Sequence, residues 1–158
     1  MDSSQILPHF LAVTLIIRGY FGEKYTEAYI PAIVACDNLD FIEIIRFLVD
    51  TGASRTSISE RDAIRFGIDY SKLKKGGSAL GIGGTADTYN MENVMLAFKK
   101  DGEEGFLRVR LEKLAVIKHT TKNADLRRKL MVLPSLLGRD VLDQFELIRR
   151  KDTLILLK

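Results

Sequence analysis

Cysteine is nearly missing from this sequence: Cys36 stands alone, so no internal disulfide can form. Its neighbours Ile33, Val34 and Ala35 are apolar, which reads as a small core residue rather than a nucleophile. A lone thiol fits a reducing compartment, and a cytoplasmic location is the expectation. Long hydrophobic runs are lacking too. The one near the N-terminus, residues 10–17, falls well short of the ~20 residues a membrane-spanning helix needs. It is preceded by Asp2 rather than Lys or Arg, and no small-residue cleavage site follows it. Neither a signal peptide nor a membrane partner is expected. Charge of one sign is scarce: 24 Lys and Arg against 21 Asp and Glu leave a net +3. Basic residues between 99 and 129 are interleaved with Asp and Glu, which describes a solvated face and gives no ground for a nucleic-acid partner. Only two histidines occur, His9 and His119, and with Cys36 they lack metal-ligand spacing. No metal and no cofactor is expected.

What is present describes an ordinary globular chain. With 46% hydrophobic and 28% charged residues over 158 positions, one domain spanning 1–158 can bury a core without staples. The pattern is short β-like runs broken by turn residues: 10–17, 27–35 with Pro31 hinting at an edge or bulge, and 41–49. Ser57 with Glu60, or Ser59 with Asp62, can cap a short helix that Gly67 closes. After a linker-like 72–77, runs 78–82 and 85–89 flank Gly83-Gly84 as a tight hairpin. Runs 94–99 and 106–116 form a second hairpin around 101–105, and 118–129 reads as a loop or one helical turn. A strand over 133–137, a short helix over 140–145 and strands over 145–148 and 153–157 complete the chain. Many short strands with two brief helices predict an all-β fold, a compact barrel or sandwich.

The third apolar run delivers the chain into Asp50-Thr51-Gly52-Ala53. Alone, a strand ending in Asp-Thr-Gly is an ordinary turn, since Asp and Gly are favoured there for local reasons. Two other features accompany it: the glycine-rich hairpin Gly81-Ile82-Gly83-Gly84, and Leu136-Leu137-Gly138-Arg139 some ninety residues on. In this order, over roughly residues 41 to 145, the sequence resembles the retropepsin family of dimeric aspartic proteases. The resemblance implies a small closed β-barrel in which Asp50 is catalytic. It implies that Thr51, Gly52 and Ala53 support the catalytic loop, with the Thr51 hydroxyl bonding across the dimer axis. Residues 81–84 would form a flap over the substrate, and Gly138 and Arg139 would pack behind the loop. The implied partners are a second copy of the chain and a polypeptide substrate.

The chemistry agrees. Two carboxyls ~3 Å apart cannot both ionise, so they share one proton, and one then serves as base while the other serves as acid. The chain holds one Asp-Thr-Gly, so the second carboxyl must come from an identical subunit across a two-fold axis. Ala53 stands where pepsin-type enzymes carry Ser or Thr, and without that hydroxyl the working pH is expected nearer neutral. Two departures from the family pattern stand out. Ser54 occupies a position that is commonly acidic in retroviral members and pairs there with the arginine, which leaves Arg139 without that partner. The chain is also longer at its N-terminus and over 118–129. Two readings therefore stand: an aspartic endopeptidase, or a retropepsin-like module that binds peptides or dimerises without cutting.

Overall fold

The computed structural model describes residues 14–24, 26–81 and 84–158. His9, the first half of the first expected strand (residues 10–13), and the hairpin residues Ile82 and Gly83 lie outside these. The strands are β1 (Ile16–Arg18), β2 (Tyr20–Phe21), β3 (Ala28–Cys36), β4 (Phe41–Val49), β5 (Ser57–Ile58), β6 (Lys74–Gly81), β7 (Gly84–Lys99), β8 (Phe106–His119), β9 (Ser135–Leu137), β10 (Glu146–Arg149) and β11 (Leu154–Leu157). Three short helices interrupt them: α1 (Glu60–Arg65), α2 (Ala124–Leu130) and α3 (Arg139–Leu142).

Six strands close on themselves in the order β3-β4-β9-β5-β8-β7, with β7 returning to β3. Parallel pairings join β4 to β9 and β5 to β8, and the other seams are antiparallel. This is a closed, mixed β-barrel. A separate three-stranded sheet, β1-β11-β10, pairs the first described strand with the last two. Alternation explains the interior. Along β3, Ala28, Ile30, Ala32, Val34 and Cys36 point inward while their neighbours are half-buried. Phe47, Phe98, Met91, Leu114 and Leu137 are fully buried beside them, each contributing roughly 1.5–3 kcal/mol by leaving water. Cys36 is part of this core. Pro31 sits where β3 pairs with β4 only, between its contacts with β2 and β7, so its missing N–H costs no ladder bond on the other side.

Several boundaries differ from expectation. The expected pair of strands at 85–89 and 94–99 is one 16-residue strand, β7. Asn93 absorbs the irregularity at φ 54, and Glu92↔Lys113 and Val94↔Leu111 keep one register on either side. The linker-like 72–77 is largely strand, because Gly76 and Gly77 form a bulge between Lys75 and Ser78. A side chain at 76 would meet Thr88 Oγ1 at 2.8 Å. The first hairpin closes one residue earlier than read, with Gly81 paired to Gly84. The polar stretch 118–129 extends β8 and then forms α2, capped by Asn123 and finished by Arg127, Arg128 and Lys129 at its negative end.

Candidate active site

Parallel strands place their C-terminal ends side by side, and β4 and β9 use this to join two distant segments. Phe47, Leu48 and Val49 run in register with Ser135, Leu136 and Leu137, so Asp50 and Gly138 emerge at the same edge. The Asp50 amide donates to the Leu137 carbonyl at 3.1 Å. The chain then turns sharply. Asp50 Oδ1 accepts from the amides of Gly52 at 2.9 Å and Ala53 at 3.2 Å, which fixes the carboxyl within its own loop. A side chain at Gly52 would sit 3.2 Å from that oxygen. Asp50 is half-buried, whereas Thr51 and Gly52 are exposed.

Behind the loop the second segment closes in. The amides of Arg139 and Asp140 donate to the carbonyls of Ala53 (2.9 Å) and Ser54 (3.3 Å). Gly138 lies so close to the loop that a Cβ there would fall 2.4 Å from the Arg55 carbonyl carbon. Arg139 itself is exposed, and among the described residues its side chain joins no ion pair. A second tie behind the loop comes from a pair that sequence reasoning missed. Asp140 Oδ1 accepts from the amide and hydroxyl of Thr56 at 2.9 and 2.7 Å, and Thr56 Oγ1 accepts from the Gly138 amide at 3.0 Å. Thr56 is 0% exposed. The available signal was the Asp following Gly-Arg at a helix start, with a hydroxyl six residues beyond Asp50.

The structure thus brings Asp50, Gly52, Ala53, Gly138 and Arg139 together, with Thr51 at the exposed tip. Gly81 and Gly84 close the β6–β7 hairpin, and among the described residues no hydrogen bond links either to the Asp50 loop. Leu80, beside the tip, is strongly exposed. No group of three or more His, Cys, Asp or Glu among the described residues is placed to hold a metal. No helix among them is long and apolar enough to cross a membrane.

A second buried polar cluster anchors α1. Ser59 caps the helix by accepting from the Asp62 amide, the second of the two caps read from the sequence. Ser135 Oγ donates to Asp62 Oδ2 at 2.6 Å and accepts from the Ser59 amide. Glu60, buried, accepts from the His119 amide at 3.0 Å and from Arg127 at 2.9 Å, with His119 Nδ1 also 2.9 Å away. Burial alone pushes the Glu60 carboxyl up, but these donors from β8 and α2 more than offset it, and its pKa is lowered. A carboxyl whose folded pKa lies below its unfolded value stabilises fully above the unfolded value, near 4.3, and ceases to do so as pH falls through the folded one. Glu60→Gln is therefore expected to cost about 1–3 kcal/mol at pH 7 and progressively less below about pH 4. Urea denaturation at both pH values checks this, and parallel wild-type and variant profiles would rule it out. Asp69, also lowered by bonds from Ser71, is present in both proteins and cancels.

A closed mixed barrel with an Asp-Thr-Gly loop held between two parallel strand ends is the fold of retropepsin-like aspartic proteases. Residues 43–144 match the family described as "gag-polyprotein putative aspartyl protease", and the chain belongs to that family. Among solved structures it is similar to a retropepsin-like aspartic protease from Rickettsia conorii, at 26% identity and a TM-score of 0.51, over 91% of this chain and 90% of that one. A more distant likeness is to EIAV protease complexed with the inhibitor HBY-793, at 20% identity and a TM-score of 0.41, over 73% and 85%. No curated protein matches the chain.

Proposed function

We propose that residues 1–158 act as one retropepsin-like domain, and that two copies pair to form an aspartic endopeptidase with one Asp50 from each. The observation that carries this reading is the Asp50 loop. Its carboxyl is pinned by the amides of Gly52 and Ala53, and its tip at Thr51-Gly52 faces outward, where a second copy can reach it. In the pair, the ionised carboxyl takes a proton from water as the water oxygen bonds to the peptide carbonyl carbon. The protonated carboxyl gives its proton to the carbonyl oxygen. Collapse of that adduct breaks the C–N bond, the nitrogen leaving with a proton. Thr51 would bond across the two-fold axis. Gly81, Ile82, Gly83 and Gly84 would form a flap that closes over an extended substrate strand, bound chiefly through its main chain.

Incubation with unfolded casein or a peptide library between pH 3 and 7 tests this. Cleavage products are expected, with activity per subunit rising with protein concentration as dimers form. Absence of cleavage across that range would favour the binding-module reading, and an active species that light scattering shows to be monomeric at micromolar concentration would overturn the shared site. Position 53 offers no hydroxyl to the carboxyl pair, so the optimum is expected nearer neutral than pepsin's. An optimum below about pH 3, the range of a pepsin-like pair, would contradict that assignment.

A further inference from the structure

A strand at the rim of an open sheet presents unpaired amides and carbonyls, which water or another strand must meet. The sheet β1-β11-β10 has two such rims, β1 and β10. The first is covered: the Asp101 amide donates to the Ile16 carbonyl at 2.8 Å, and the Asp101 carboxylate binds Arg18. The second is open. Antiparallel pairs alternate between those that exchange hydrogen bonds and those that do not. The Arg150 amide donates to the Thr153 carbonyl at 2.8 Å, so by register Ile148 and Glu146 also point their main-chain groups at β11. Leu147 and Arg149 therefore turn theirs to the rim, and among the described residues no backbone bond reaches them there. Glu146, Ile148 and Arg150 share the other alternation and hence one face. Glu146 and Arg150 are exposed, and among the described residues neither joins an ion pair.

We propose that the β10 rims of two copies pair antiparallel about a two-fold axis, joining their sheets into one continuous sheet. The inference rests on the paired endopeptidase proposed above and names the surface that makes the pair. Hydrogen bonding restricts the register, because a residue whose main chain faces the rim must meet another that does the same. Centring the axis on Ile148 sets Leu147 opposite Arg149 of the partner subunit, and both rim residues of both copies then find partners within β10. The same register sets Glu146 opposite Arg150 of the partner subunit, twice by symmetry, so each free charge meets its complement. Ile148 lies against its own copy, with Ile155 beside it on β11, and an unbroken row of isoleucines crosses the axis. Charge selects the occupant: a strand of one sign would satisfy only one end of this pattern, whereas a second copy satisfies both. The edge is also tied to the site. The Arg139 amide binds the Asp50 loop at Ala53, α3 follows, and the Phe145 amide closes on Leu142 just before β10 begins. The segment that braces the Asp50 loop thus runs directly into the pairing rim.

Analytical ultracentrifugation of the full chain reads the dissociation constant of the dimer. Arg150→Glu alone, or Glu146→Arg alone, sets like charges opposite each other and is expected to raise it roughly tenfold. Glu146→Arg/Arg150→Glu restores opposite signs and should return it to within about threefold of wild type, a rescue that general surface damage does not produce. Ile148→Cys should form a disulfide-linked dimer with oxidised glutathione, since facing residues of a non-bonded antiparallel pair have Cα atoms ~4.5 Å apart. Asp152→Cys, in the exposed turn between β10 and β11, should not, and the native Cys36 is buried. A double swap as weak as the single variants, or a dimer that none of these changes weakens or crosslinks, would overturn the pairing while leaving the endopeptidase reading in place. A crosslinked Ile148→Cys dimer that cuts no casein would uphold the pairing and count against that reading instead. A chain that stays monomeric throughout would overturn both.

Discussion

Asp50→Asn is expected to abolish peptide cleavage while leaving the fold and the pairing intact. Loss of acid–base chemistry of this kind typically costs about 10²–10⁴-fold, and in a homodimer the substitution removes both carboxyls at once. Asparagine has the same shape, and its Oδ1 can still accept from the amides of Gly52 and Ala53, so the loop keeps its hydrogen bonds. Asp50→Ala is a less clean test because it leaves those two amides without their acceptor. Mixing sharpens the result. Adding excess Asp50→Asn protein to wild type should draw active subunits into mixed dimers with a single carboxyl, so activity should fall below that of wild type alone. Activity that stays constant on mixing would mean that each subunit carries a complete site. Unaltered cleavage by the pure variant would remove Asp50 from the chemistry altogether.

The readable parts of this molecule were those in which local sequence and tertiary environment ask for the same residue. Asp50-Thr51-Gly52 and Gly138 were legible because a sharp loop and a close backbone approach both restrict residue choice. The tie between them was harder to see. Thr56 and Asp140 meet over 84 positions of sequence, and the local signals, a hydroxyl six residues beyond Asp50 and an Asp at a helix start, do not by themselves pair the two. The same holds for Glu60, His119 and Arg127, which come from three elements and meet only once the barrel closes. Arg139 shows the opposite case, where the family pattern drew notice to a side chain while the structure uses its amide. Strand boundaries slipped wherever glycine or asparagine was taken as an interruption. At Gly76-Gly77 and Asn93 the sheet absorbs the irregularity and continues.

Gly138→Ala is the most damaging conservative change away from Asp50. The cost does not arise from backbone conformation, since φ is −94 there and any residue can adopt it. It arises from space: the added carbon would lie 2.4 Å from the Arg55 carbonyl carbon, 2.6 Å from its oxygen and 2.8 Å from the Thr56 nitrogen. All three are backbone atoms, so no flexible side chain can move aside. Overpacking typically costs 1–3 kcal/mol, and about 3 kcal/mol is expected here, where relief requires β9 to shift from the Asp50 loop. That shift would also stretch the Gly138 amide's bond to Thr56 and the Asp50 amide's bond to Leu137, so catalysis should fall with stability. Gly67→Ala is the matched control. Nothing lies within 4 Å of its added carbon, and its positive φ of 67 alone should cost about 1–2 kcal/mol with cleavage retained. Urea denaturation and casein cleavage on both variants separate the two effects. Should Gly138→Ala prove as stable and as active as wild type, the close approach of the two segments could not be what holds Asp50 in place.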